Sequence, residues 1–158
     1  MNNPILEQLR KRIDQHGWTV MGVFADPEAQ PPVPSFAYTI GLTENCQHPE
    51  LVIMGLPPEV AQSILAGACE RIKQGTLTCQ DSASDDRVVE GYSVMFRTVH
   101  PNHLPDYLRA ARAIEGDDVR AVQIIWPDPA GTFPWQTGAD PDYAGHQMLL
   151  FDATPTAH

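Results

Sequence analysis

The sequence is poor in positive charge. Ten Lys and Arg stand against twenty Asp and Glu, a formal net charge of −10. Binding to phosphate backbones depends on clustered cations. Only Arg10, Lys11 and Arg12 stand together, and the next cation is Arg71. Nucleic acid and anionic membrane surfaces are therefore discounted as partners, whereas a basic protein partner is permitted. Long apolar runs are also missing. None approaches the roughly 20 residues needed to cross a bilayer, and the first residues lack the apolar core of a signal peptide. Cysteine is scarce: Cys46, Cys69 and Cys79 form an odd set without framework spacing. Free thiols in a reducing compartment follow, and the expectation is a cytoplasmic protein. Nucleophile elbows, glycine-rich phosphate loops, dinucleotide fingerprints, CxxC and HExxH are all absent. No cofactor is favoured, and whether the chain is an enzyme stays open.

What is present is a chain of 158 residues, 42% hydrophobic, enough to bury a real core. One domain is expected over residues 1–152, with a frayed tail from 153 to 158. Ile5, Leu6, Leu9 and Ile13 recur at helical spacing, with Asn3 to cap, Pro4 in the first turn and Gly17 to stop. Residues 18–25 read as a strand. Four prolines make 26–34 a stiff loop. In 35–42, Phe36, Tyr38, Ile40 and Leu42 face one way, and Ala37, Thr39 and Gly41 the other. Residues 51–55 read as a buried strand, and a second helix opens at Pro57 and closes at Gly75. An edge strand is expected at 76–79 and a surface loop at 81–86. A long strand follows over 88–99, with a bulge at Gly91. Leu104, Tyr107, Leu108, Ala111 and Ile114 mark a third helix, followed by a strand over 119–126 and a short last one over 147–151. The fold class expected is α+β: a mostly antiparallel twisted sheet with about three helices covering one face.

Three groups could carry chemistry. Cys46 and His48 follow one strand, and His100 and His103 follow another. If those ends met, four nitrogen and sulfur donors would suit zinc, and His48, His100 or His103 could act as acid or base. The plainer reading makes His48 and His100 loop residues before proline, and Asn102 or His103 a helix cap. No metal is favoured. The second group is the loop holding Trp126, Asp128, Phe133 and Trp135, which could stack a ligand ring or fold down as a small core. The third is Arg97, with Tyr38 and Thr39. An inward Arg97 would call for an anion, and its strand alternation points instead to the solvent face.

Two blocks carry a resemblance: Phe36-x-Tyr38-Thr39-Ile40-Gly41-Leu42 with His48-Pro49-Glu50-Leu51, and Gln123-x-x-Trp126-Pro127-Asp128-x-x-Gly131-x-Phe133-Pro134-Trp135. Over roughly residues 17–138 the chain resembles a bacterial family of domains of unknown function. The resemblance implies a small, soluble, single-domain bacterial protein and carries no activity or catalytic residue. The leading expectation is a small-molecule-binding protein or enzyme. Its pocket would lie near the His48 and His100 loops, the small face of residues 35–42 and the Trp126–Trp135 loop, for an aromatic or anionic ligand. The alternative is an acidic interaction module, of immunity or antitoxin kind, that masks a basic partner. A third reading is a homo-oligomer assembled through an exposed strand edge.

Overall fold

The computed structural model describes residues 3–30, 32–144, 146–152 and 156–157. The first helix, α1, spans Pro4–His16; Asn3 Oδ1 accepts the Ile5 and Leu6 amides, and Gly17 ends it in the left-handed region. Strands β1 (Thr19–Val23), β2 (Phe36–Ile40) and β3 (Glu50–Met54) form the expected antiparallel meander. Helix α2 (Leu42–Cys46) is set between β2 and β3, and α3 (Pro58–Lys73) follows β3. Strands β4 (Ser84–Val89) and β5 (Tyr92–Thr98) make a hairpin. A 3-10 turn, α4 (Leu104–Tyr107), α5 (Arg109–Glu115) and β6 (Ala121–Ile125) come next, then α6 (Pro141–Ala144), β7 (Met148–Leu149) and β8 (Thr156–Ala157).

The main sheet runs β1-β2-β3-β6-β5-β4, and only β3–β6 is parallel. The class is α+β with a mostly antiparallel six-stranded sheet. Six short or long α-helices stand among the described residues, where about three were expected. The expected third helix breaks at Leu108 (ψ 45°) into α4 and α5. The extra helices α2 and α6 have five and four residues, too few to show a period in sequence. Helices cover both faces rather than one. Leu9 and Ile13 of α1 and Ala110 and Ala111 of α5 pack on Phe36, Tyr38 and Ile40. Leu65, Ala68 and Cys69 of α3 pack on Ala37, Leu51 and Ile53 of the other face. This explains why β2, β3 and β6 are buried at every position.

Two further expectations change. Residues 76–79 are not a strand, and Ser84–Val89, partly expected as a surface loop, is one. The long strand expected over 88–99 folds back at Glu90-Gly91, since Val89 pairs with Tyr92 and Gly91 has φ 86°. Gly91 is thus half of a two-residue hairpin turn, which requires positive φ, and not a bulge. Of the tail, Thr156 and Ala157 pair with Leu149 and Met148, and residues 153–155 and 158 lie outside the described residues. Among the described residues no helix is long and apolar enough to cross a membrane.

Candidate functional site

The four candidate donors do not converge. β6 lies between β3 and β5, so His48 and His100 are held roughly 10 Å apart or more, two strand spacings. His48 is buried with both ring nitrogens engaged: Nδ1 donates to the Pro49 carbonyl at 2.7 Å and Nε2 accepts the Cys79 amide at 3.1 Å. His100 caps the 3-10 turn by accepting the Asn102 amide. His103 is buried, and its Nε2 donates to the Asp152 carbonyl at 2.6 Å. His100 and His103 lie close, ring centroids 6.1 Å apart. Among the described residues no group of three His, Cys, Asp or Glu could hold a metal. Cys46, Cys69 and Cys79 are free, and burial raises all three thiol pKa values, Cys79 to about 12. At neutral pH they are protonated and weakly nucleophilic.

The aromatic loop folds shut. Trp126 is buried, its indole donating to the Met54 carbonyl at 2.9 Å. Phe133 stacks on Trp135 at 5.1 Å, and Trp135 meets Phe151 edge-on. These rings close over Ile125 and Leu149 as a small core. Asp128 organises the loop by accepting the amides of Asp140, Thr132 and Ala130. Those amides hold its carboxyl below the usual range. Arg97 is half-buried, with its guanidinium 4.1 Å from the Phe151 ring centre and Nε 3.5 Å from Asp81. The loop and Arg97 thus come together as packing. A hollow of about 300 Å³ adjoins His48, lined also by Thr43, Pro49 and Arg120, while a larger apolar cleft lies away from His48, His100 and this loop.

That cleft, about 460 Å³, sits on the α1/α5 face under the proline-rich loop. Its walls are Met21 and Val23 of β1, Phe36 and Tyr38 of β2, and Tyr107 and Ala110. Its size and apolar lining suit a small ligand. Asp26, Asp106 and Arg109 supply polar edges, and Phe24, 88% exposed, stands at the mouth. The small face of residues 35–42 was the expected wall, whereas Tyr38, one of the residues singled out in the sequence, lines this cleft from the same face of β2 as Phe36. Its hydroxyl accepts the Ala110 amide at 3.0 Å, so its own proton has no acceptor among the described residues. Burial raises the phenol pKa, with the Ala110 amide and Arg109 opposing. The group therefore stays a neutral donor. Arg109 makes no ion pair among the described residues.

Thr39 belongs to a second constellation, which sequence missed. Glu50, fully buried, accepts from Thr39 Oγ1 (2.9 Å), the Leu42 and Thr43 amides (3.2 and 2.8 Å) and Thr43 Oγ1 (2.6 Å). Glu115, at the end of α5, faces it. The buried Glu115 Oε2 finds no donor. Burial first, then Glu50, pushes the Glu115 pKa up to about 9. Protonation resolves the orphaned oxygen, because a carboxylic acid donates to its carboxylate neighbour. The pair ties α2, β3 and α5 together. The available signal was Glu50 itself, an acid heading the apolar run Leu51–Met54.

Fold and site define an α+β domain, with helices on both faces of the sheet, that holds an apolar cleft and an internal acid pair. The chain belongs to the family described as domain of unknown function (DUF4262), whose model matches residues 12–140. No curated protein and no solved structure matches it. Both the cleft residues and the acid pair fall within the matched span.

Proposed function

We propose that the protein binds a small ligand with an apolar or aromatic body and an anionic group, in the cleft between β1, β2 and the α4–α5 corner. One observation carries this reading: the uncommitted hydroxyl proton of Tyr38 borders an apolar cleft of about 460 Å³ that also has Arg109 at its edge. The apolar body gains from burial against Met21, Val23 and Phe36, and the anion from the two donors. In a chain of net charge −10, an unpaired arginine at a cleft selects a local anion against the general field.

Anilinonaphthalene sulfonate is a suitable probe, an aromatic anion whose fluorescence reports burial. Saturable one-site binding is expected, weakened about tenfold by Arg109→Gln, the worth of one charged hydrogen bond. Arg109 is exposed, so this change leaves the melting temperature in place. Val33→Trp, which fills the cleft, should abolish binding. Binding that neither substitution alters would overturn the proposal.

A further inference from the structure

The sheet has two outer edges, β1 and β4. Edge strands expose unpaired N–H and C=O groups and are ordinarily guarded by charge, proline or a bulge. β4 is guarded: it carries Asp85, Asp86 and Arg87, and its register shifts between Asp85 and Val89. β1 is not. From Trp18 to Ala25 the chain has neither charge nor proline, in a molecule of net charge −10. This segment ends on Phe24, a ring left 88% exposed.

Beside the start of β1, between the end of α1 and α3, lies a groove of about 630 Å³ lined by Arg12, His16, Trp18, Gln62 and Lys73. Glu70 is the one carboxylate residue lining it. Arg12 and Lys73 form no ion pair among the described residues. Lys73 reaches only the His16 carbonyl, at 3.4 Å. The indole N–H of Trp18 has no acceptor among the described residues. At the far end of β1, the chain carries Asp26 and Glu28, both exposed. One end of this edge is therefore cationic and the other anionic, with an uncharged stretch between.

We propose that two copies of this chain pair antiparallel through β1 about a two-fold axis at Met21, each seating Phe24 in the other's groove beside Trp18. In that register residue 24 stands opposite residue 18, and residue 26 opposite residue 16. Opposed residues of antiparallel strands point to the same face. Trp18 and Val20 pack on one face of the sheet; Phe24, just past the end of β1, borders the cleft on the other face and, on theirs, a hollow beside Pro58, Ala61 and Gln62. That face is the one α3 covers, where the groove lies. Phe24 meets Trp18 as a cross-strand aromatic pair, and Asp26 arrives beside His16, Arg12 and Lys73. The two-fold repeats each contact, so the edge is complementary to itself in shape and in charge. Two sheets merge into one, and the unguarded edge disappears. The groove lies on the face opposite the ligand cleft, but Phe24 and Asp26 also border that cleft, so assembly is read without ligand.

Light scattering of the full chain over a concentration series tests it. The wild type is expected at twice the 17.4 kDa chain mass. Phe24→Asp should raise the dimer dissociation constant at least about tenfold, as loss of a buried aromatic anchor does. Since Phe24 is exposed, the variant's melting temperature measured as a monomer reports that folding is intact. Register is read by cross-linking. Met21→Cys places two thiols opposite each other, Cα atoms about 4.5–5.5 Å apart, within disulfide range. Val20→Cys places its two thiols about 8 Å apart at the Cα atoms, outside that range. Mild oxidation should give a covalent dimer for Met21→Cys and little for Val20→Cys. A monomer at every concentration would overturn the proposal. So would a dimer indifferent to Phe24→Asp, or one that cross-links at Val20 and not at Met21.

Discussion

A carboxyl group that keeps its proton at neutral pH makes stability depend on pH in a defined direction. Glu115 has a pKa of about 9 in the fold against an ordinary 4.5. Between those values the folded chain holds a proton that the unfolded chain has released. The stability this contributes is fully present below pH 4.5 and is lost as pH rises through about 9. Melting temperature should therefore fall steadily from about pH 5 to pH 9, and Glu115→Gln, whose amide still donates to Glu50, should flatten the slope. An unchanged slope in that variant would exclude the pair as its source. On the acid side Asp81, Asp85 and Asp128 act oppositely. Each has a carboxyl pKa lowered from 3.8, so its contribution is present above that value and lost as pH falls through the depressed pKa. Asp85 illustrates how misleading a charge count is by itself. It read as part of a solvated acidic loop, yet it pairs with Arg71 at 3.1 Å and accepts the Arg87 and Val88 amides. Glu50 is half legible for a related reason. An acid heading an apolar run hints at burial, but its partners Thr39, Thr43 and Glu115 meet it only in the fold, the last from 65 positions away.

Among the elements, the C-terminal segment is attached by side chains standing in for strand pairing. Gln123 of β6, fully buried, donates to the Met148 carbonyl at 2.8 Å and accepts the Leu150 amide at 2.9 Å. Gln147 answers by donating to the Trp126 carbonyl and accepting its amide. Gln123→Leu leaves a buried amide and a carbonyl unpaired and should cost about 2–4 kcal/mol in denaturant unfolding. Faster hydrogen exchange is expected at residues 148–150. Gly55 fixes the same segment from the other side. A Cβ there would fall 2.0 Å from the His146 carbonyl oxygen, and φ is +85°. Gly55→Ala should lower stability by about 2 kcal/mol or more, and an effect below about 0.5 kcal/mol would show that this loop yields freely. Elements with local signals were legible: α1 from its stripe and its Asn3 and Gly17 caps, β1–β3 from their spacing, α3 from its opening prolines and apolar period. The Glu90-Gly91 turn is not legible, because a lone glycine in a strand pattern signals a bulge or a hairpin equally. The aromatic loop is visible in sequence as a unit, and only its packing onto Ile125 makes it a core.

Over the whole molecule, the class of fold was legible and the cleft was not. Its walls come from β1, the proline-rich loop, β2 and the α4–α5 corner, which no local pattern relates. Covering both sheet faces also hid the in-out alternation that would have marked a solvent face. The β1–β2–β3 meander and the β4–β5 hairpin are each assembled from near neighbours, and β6 joins them, parallel to β3 and antiparallel to β5. Pairing Glu50 with Ala121 closes a loop of about 70 residues, whose entropy must be met before β6 is rewarded from both sides. The two halves therefore have time to exist apart, with β3 and β5 each presenting a bare edge. Docking of β6 is expected to limit the folding rate. Shortening the α3–β4 connection would speed folding more than it would raise equilibrium stability, and crowded synthesis would expose these chains to exchanging halves with one another.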